Sequence, residues 1–123
     1  MILKTTIVSS KKSSLGMTAV PSYMGITLIP NEELSFHVLS KKSLTSGSEI
    51  SIIPIALFMP CGKDHSEPAI VGVDADTYKD INMDDVRMFI RGVKKFESLA
   101  EGEVKFHTTA DTESFLASKI FIK

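Results

Sequence analysis

Acidic residues crowd one short stretch of the chain. The segment VDADTYKDINMDD, residues 73–85, holds five aspartates and one asparagine directly before a strongly amphipathic segment. Carboxylate oxygens are the ligands that Ca²⁺ and Mg²⁺ prefer, and carboxylates also act as general acids and bases. Three hypotheses therefore arise for this stretch: a calcium loop, a catalytic acid pair, or a polar connection that leads into a helix.

The calcium-loop hypothesis rests on spacing. Asp74, Asp76, Asp80 and Asp85 can be aligned with positions one, three, seven and twelve of the calcium-binding loop. The alignment fails at Lys79, which stands where such a loop has glycine for a sharp turn. These aspartates are therefore weak metal candidates. We favour a solvated strand-to-helix connection and predict neither a metal nor another cofactor.

Asp74 and Asp76 also raise the hypothesis of a metal-dependent enzyme, in which they act as general acid and base or as Mg²⁺ ligands. They follow an apolar segment, and side chains two residues apart in an extended chain share a face. No glycine-rich phosphate loop follows them, and no lysine or serine stands at a diagnostic spacing. The enzyme is therefore a second alternative, and no catalytic residue is predicted.

Two lysine doublets among serines, SSKKSS and LSKKSLTS, suggest another function. The side chains of Lys11, Lys12, Lys41 and Lys42 could contact phosphates if the preceding strands bring them together. Two aromatic residues, Tyr23 and Phe36, could stack on bases. This first alternative is a single-stranded nucleic-acid-binding domain with an OB-like barrel. The net charge of −1 argues against it.

The remaining titratable residues give weak signals. Cys61, Asp64, His65 and Glu67 cluster in a polar loop, but one thiol and one nearby histidine are too few ligands for zinc. We therefore expect Cys61 to be inert. His37 stands between two apolar residues of a predicted strand, which directs its side chain to the opposite side, toward solvent.

The size and composition of the chain indicate one ordinary globular domain over residues 1–123. Hydrophobic residues make up 43% and charged residues 24% of the 123 residues, as in soluble proteins. No apolar run approaches the roughly 20 residues that cross a bilayer, and the N-terminus does not have the pattern of a secretory signal. We predict that the protein is cytoplasmic, either in the cell that encodes it or in the cytoplasm of a host cell.

One helix is strongly indicated near the C-terminal end. Apolar residues follow the i, i+3, i+4, i+7 spacing of a single helix face at Val86, Phe89, Ile90, Val93 and Phe96. The pattern predicts a helix over about residues 83–101. Asn82 is expected to cap its N-terminus, because an asparagine side chain accepts a hydrogen bond from a free backbone N–H there.

Strands are predicted in most of the remaining chain. The apolar, β-branched segments begin near residues 2, 26, 36, 50 and 69, and two more lie at 103–109 and 114–123. Residues 41–48 are expected to form a hairpin loop, and Pro54 is expected at an edge or a bulge. The predicted fold is α+β. It is a mostly antiparallel sheet or partial barrel of about six to seven strands, packed by one long helix and followed by a terminal hairpin.

The leading functional prediction follows from what the chain does not contain. It has no cofactor fingerprint, and it has six methionines, which suit a partner surface as well as a core. We therefore predict a small non-enzymatic binding or regulatory module that acts through protein–protein contacts. Self-association, as a homodimer through the edge of the strand at 49–59 or through an exposed sheet face, is the expected form of contact.

Overall fold

A computed structural model describes residues 2–13, 19–29, 32–60, 69–101 and 104–107. It contains six strands, one α-helix and a single 3₁₀ turn at Tyr78–Asp80. The strands are β1 (Leu3–Ser13), β2 (Ser22–Ile29), β3 (Glu32–Leu39), β4 (Glu49–Pro60), β5 (Ala69–Asp74) and β6 (Val104–His107), and the helix is α1 (Met83–Glu101). In the part of the chain just specified, no helix is long and apolar enough to cross a membrane.

Five of the strands pair in a closed cycle. The order is β1, β2, β3, β5, β4, and the first half of β1 pairs with the first half of β4 to complete it. All neighbours in the cycle are antiparallel except β3 and β5, which run parallel. The four-residue β6 lies outside the cycle and pairs with the last residues of β4. The result is a mixed sheet in which β5 separates β3 from β4.

The inner face of this ring is closed by apolar side chains from every strand that forms it. Alternation along a strand sends every second residue inward, and the large residues at those positions form one cluster. Its members include Ile7, Phe36, Ile52 and Ile70, each at most 1% exposed. Burial of such side chains stabilises each by roughly 1.5–3 kcal/mol relative to exposure.

Helix α1 closes the outer face of β3, β5 and β4. Val86, Phe89 and Val93 are buried in a second cluster with outward-facing strand residues such as Val71 and Val73. Asn82 Oδ1 accepts a hydrogen bond from the backbone N–H of Asp84 at 2.8 Å, which confirms the predicted cap. The helix bounds and the buried face are also confirmed.

The α+β class is confirmed, but the finer predictions need correction. The closed sheet has five strands, fewer than the six to seven predicted, and the short β6 pairs only at its margin. The pairings close into a ring rather than a partial barrel. Residues 41–48 are not a hairpin loop, because β5 lies between β3 and β4. Of the predicted terminal hairpin, only β6 lies in the described part of the chain. Residues 108–123 lie outside it.

Two further expectations about strands have clear outcomes. The register of β4 with β5 shifts between Pro54 and Ala56, which confirms the predicted bulge. The structure does not support a homodimer contact through the edge of β4, because β4 pairs with β5 on one side and with both β1 and β6 on the other. Self-association itself is not tested by these pairings and stays a prediction.

The packing of α1 predicts a large difference between adjacent helix residues. Phe89 is 0% exposed, whereas Met88 is 41% exposed on the other side of the helix. We expect Phe89→Ala to lower the free energy of unfolding by about 3–5 kcal/mol, because it leaves a cavity between helix and sheet. Urea denaturation of both variants measures this. A loss no greater than that of Met88→Ala would contradict this packing of α1 on the sheet.

Candidate active site

The aspartate stretch begins at the end of β5, where Asp74 is completely buried. Its Oδ2 atom accepts a hydrogen bond of 2.7 Å from Oγ of Ser40, which is also 0% exposed. Its Oδ1 atom accepts a hydrogen bond of 3.1 Å from the backbone N–H of Asp76. A buried carboxylate requires such partners, because an unpaired buried charge is costly. Asp74 is therefore a structural anchor, and the expectation that it lies in solvent was wrong.

Lys42 joins the two aspartates across the chain. Its Nζ atom lies 2.6 Å from Oδ2 of Asp76 and 3.8 Å from Oδ2 of Asp74. Asp76 is 62% exposed, so its carboxylate reaches solvent while the Asp74 carboxylate does not. The hydrogen bond that the Lys42 ammonium group donates to Asp76 raises the pKa of Lys42, and the charges of both aspartates add to this. Lys42 therefore stays protonated and fixes the position of Asp76.

A polar recess opens beside Asp76 on the outside of the ring. It has a volume of about 240 Å³ and is lined by Lys4, Glu49, Ile50, Ser51 and Asp76. The pairing of β1 with β4 brings these residues together, since Lys4 lies opposite Ser51 and Thr6 lies opposite Glu49. The backbone N–H of Ala75 binds the carbonyl of Ser51 at 2.8 Å, which holds the aspartate turn against this pair. Two carboxylates and one ammonium group thus share one opening.

The calcium-loop alignment is not reproduced by the structure. Asp80 lies in the 3₁₀ turn and Asp85 lies in the first turn of α1, both beyond the recess. No group of three or more potential metal ligands converges among the side chains that the structure describes. Asp74 and Asp76 also do not share an open face, since one is buried and the other exposed.

The lysine doublets lie at the same end of the sheet, but the aromatic residues are not available for stacking. Lys11 and Lys12 are in β1, opposite the start of β2, and the end of β3 beside it leads into the second doublet. Tyr23 is 8% exposed and Phe36 is 1% exposed, both in the inner cluster. They present no ring face to a nucleotide, so the outward orientation that stacking on bases would require is not met by these two residues.

His37 was predicted to face solvent, and this prediction was wrong. It does point away from Phe36, but α1 covers that side, and the ring is 2% exposed. Its Nε2 atom lies 2.7 Å from Oε1 of Glu97 on the helix. The cluster around Cys61 lies at residues 61–67, outside the described part of the chain.

Three polar residues of the recess were not predicted from the sequence. Lys4, Glu49 and Ser51 belong to strands that are distant in sequence, and no short motif contains them. The one available signal was the alternation in β1 and β4, which directs all three away from the inner apolar cluster. Only the pairing of the two strands shows that these polar side chains converge.

Comparison of the sequence with known protein families and with curated protein sequences finds no match. Comparison with solved structures does find similar folds. An inorganic phosphatase from Anaplasma phagocytophilum has a TM-score of 0.63 and 14% identity, over 97% of this chain and 91% of that one. Inorganic pyrophosphatases from Ehrlichia chaffeensis and Neisseria gonorrhoeae have TM-scores of 0.58 and 0.54, each at 13% identity. They cover 96% and 97% of this chain, and 92% and 89% of their own.

These neighbours show a shared fold over nearly the whole length of the chain. They contradict the prediction of a non-enzymatic, regulatory binding module, because the neighbours named here are an inorganic phosphatase and inorganic pyrophosphatases, which are enzymes. Identities of 13–14% assign no residue roles. The chemistry open to this chain depends on its own side chains.

The network around Lys42 predicts a distinct dependence of stability on pH. Because the folded pKa of Lys42 lies above the unfolded value of 10.5, its protonated form stabilises the folded state. That contribution is complete below pH 10.5 and is lost as the pH rises through the folded pKa. We expect Lys42→Met to unfold more easily than the wild type near neutral pH, with a difference that shrinks at strongly alkaline pH.

Urea denaturation at a series of pH values measures this difference. Lys41→Met is the matched control, because Lys41 is the exposed neighbour in the same doublet. It corrects for the other groups that titrate at alkaline pH. Equal stability of the two variants at neutral pH would show that Lys42 does not stabilise the aspartate turn.

Proposed function

We propose that this chain is a hydrolase that cleaves a phosphoanhydride bond, with inorganic pyrophosphate as the substrate to test first. The observation that carries the proposal is the polar recess, where two carboxylates and an ammonium group meet at the margin of this ring of strands. The fold supports the proposal, since the structural neighbours that share it include inorganic pyrophosphatases. A recess of this kind can bind phosphate without a glycine-rich phosphate loop.

Lysine side chains supply the first requirement of this chemistry. Cleavage of a phosphoanhydride moves negative charge onto the leaving phosphate, and positive groups held in place stabilise that charge. Lys4 lines the recess, and Lys42 does not line it but donates a hydrogen bond to Asp76, which does. A phosphate in the recess would contact the ammonium group of Lys4 directly. Lys42 is linked to the recess only through Asp76.

Carboxylates supply the second requirement. Mg²⁺ in phosphate-processing sites is held by one or two carboxylates, by water and by the oxygens of the substrate, rather than by a cage of protein ligands. Asp76 and Glu49 are exposed carboxylates in one recess, and their hard oxygen donors fit such a cation. When bound, Mg²⁺ would neutralise charge on the phosphates.

The two residues of the original acid pair have separate roles in this proposal. Asp76 is a direct ligand at the recess, whereas the buried Asp74 is a positioning residue. Asp74 holds Ser40, the N–H of Asp76 and the ammonium group of Lys42 in one network. Glu49 is then the carboxylate that takes a proton from the attacking water, because it is exposed and lies in the same recess.

The proposal predicts release of phosphate from pyrophosphate in the presence of Mg²⁺. We expect Asp76→Asn and Lys4→Met each to lower kcat/KM by about 100-fold or more, as the removal of one electrostatic contact to a transition state does in other enzymes. Initial rates from a colorimetric phosphate assay measure this. Circular dichroism of each variant shows whether the fold is retained.

Asp80→Asn is the matched control. It removes one aspartate from the same turn, but Asp80 is exposed and does not line the recess. We expect its rate to equal that of the wild type. The proposal would be overturned if purified wild-type protein released no phosphate from pyrophosphate, tripolyphosphate or ATP with Mg²⁺ or Mn²⁺. It would also be overturned if Asp80→Asn lost as much activity as Asp76→Asn.

A further inference from the structure

The exposed carboxylate of the recess already carries a cation that belongs to the chain. The ammonium group of Lys42 donates a hydrogen bond of 2.6 Å to Oδ2 of Asp76, at the short end of charge-assisted pairs. A divalent cation that bound to the other oxygen, Oδ1, would stand roughly 5 Å from the ammonium group. Two cations repel each other strongly at such a separation. Lys42 and a bound metal therefore compete for the same carboxylate.

Lys42 has a second anion within reach. Its Nζ atom lies 3.8 Å from Oδ2 of Asp74, and its side chain is 43% exposed, so water can solvate the ammonium group. The Asp74 carboxylate is held in place by Oγ of Ser40 and by the backbone N–H of Asp76. If Lys42 released Asp76, its charge would still be balanced by Asp74. The ammonium group can thus change partners by a short movement of one flexible side chain.

The charges of the recess set the consequence of this competition. Among the residues that line it, Asp76 and Glu49 are the carboxylates and Lys4 is the cation. While Lys42 is bonded to Asp76, the charge of that carboxylate is already balanced, and a metal has to break an ion pair to bind there. Phosphate oxygens supply further ligands to Mg²⁺. A cation that arrives with phosphate therefore binds with more ligands than a free cation does.

We propose that Lys42 is a displaceable counter-ion that regulates metal binding at the recess. It holds Asp76 while no metal is bound, and it moves to Asp74 when a divalent cation takes the Asp76 carboxylate. The affinity for free metal is thereby kept low, and the cation is retained mainly together with phosphate. This inference rests on the cation site of the proposed function and adds a means of regulating it.

Titration of the full chain with Mn²⁺ alone, in the absence of phosphate, tests the competition by calorimetry. We expect Lys42→Met to bind Mn²⁺ about three- to tenfold more tightly than the wild type, because no ion pair has to be broken. Damage to the aspartate turn would have the opposite effect and weaken binding. Lys42→Arg keeps a cation at this position and should bind Mn²⁺ as weakly as the wild type. Lys42→Gln, which retains a hydrogen-bond donor without the charge, replaces Lys42→Met if the latter does not fold.

Two further variants show whether the gain acts through Asp76. Lys41→Met is the matched control for charge, because Lys41 is exposed and bonds to the same turn through its backbone N–H, 3.3 Å from Oγ1 of Thr77. Its affinity for Mn²⁺ should equal that of the wild type. When Asp76→Asn is combined with Lys42→Met, the gain in affinity should disappear.

The proposal would be overturned if Lys42→Met bound Mn²⁺ no more tightly than the wild type, or if neither protein bound it. Equal gains in Lys41→Met and Lys42→Met would also overturn it, since a general effect of charge would then be sufficient. Phosphate release from pyrophosphate is measured separately on the same proteins. A gain in Mn²⁺ affinity without hydrolysis would support the counter-ion and overturn the proposed function, whereas hydrolysis without the gain would do the reverse.

Discussion

Strand β5 is buried on both faces along its whole length, and the rest of the structure depends on this double burial. Ile70 faces the inner cluster, while Val71 and Val73 face α1. A Cβ atom on Gly72 would lie 2.5 Å from Cγ2 of Ile52, so only glycine lets β4 approach this closely. Because β5 is held between β3 and β4, its last residue, Asp74, is held in place as well. The aspartate turn that follows lies against the segment of β4 that pairs with β1.

Features that depend on local sequence were predicted well. The spacing of Val86, Phe89 and Val93 indicated both the helix and its buried face, because a strand, with its period of two residues, does not produce this spacing. The cap at Asn82 and the bulge after Pro54 followed from the hydrogen-bonding capacity of single residues. These features need no knowledge of which strands are neighbours.

Features that depend on distant pairings were not predictable. A parallel pairing of β3 with β5 leaves no turn motif in the sequence, so residues 41–48 looked like a hairpin. For His37 the alternation gave the correct face, but only the position of α1 shows that this face is covered. Likewise, the acidity of the aspartate stretch suggested solvation, whereas one of the two partners that allow Asp74 to be buried, Ser40, is 34 residues away. Of the candidate site, the sequence therefore indicated Asp76 but neither Lys4 nor Glu49.

The irregularity in β1 decides which member of its lysine doublet lies on the outer face of the sheet. The register of β1 with β2 shifts between Ile7 and Ser9, so Val8 is an extra residue in the strand. In an unbroken strand, even-numbered positions would continue on the face of Lys4, and Lys12 would follow it there. The extra residue reverses this phase and places Lys11 on the outer face instead. A single inserted position thus selects one of two identical, adjacent cations, which composition and motif alone cannot distinguish.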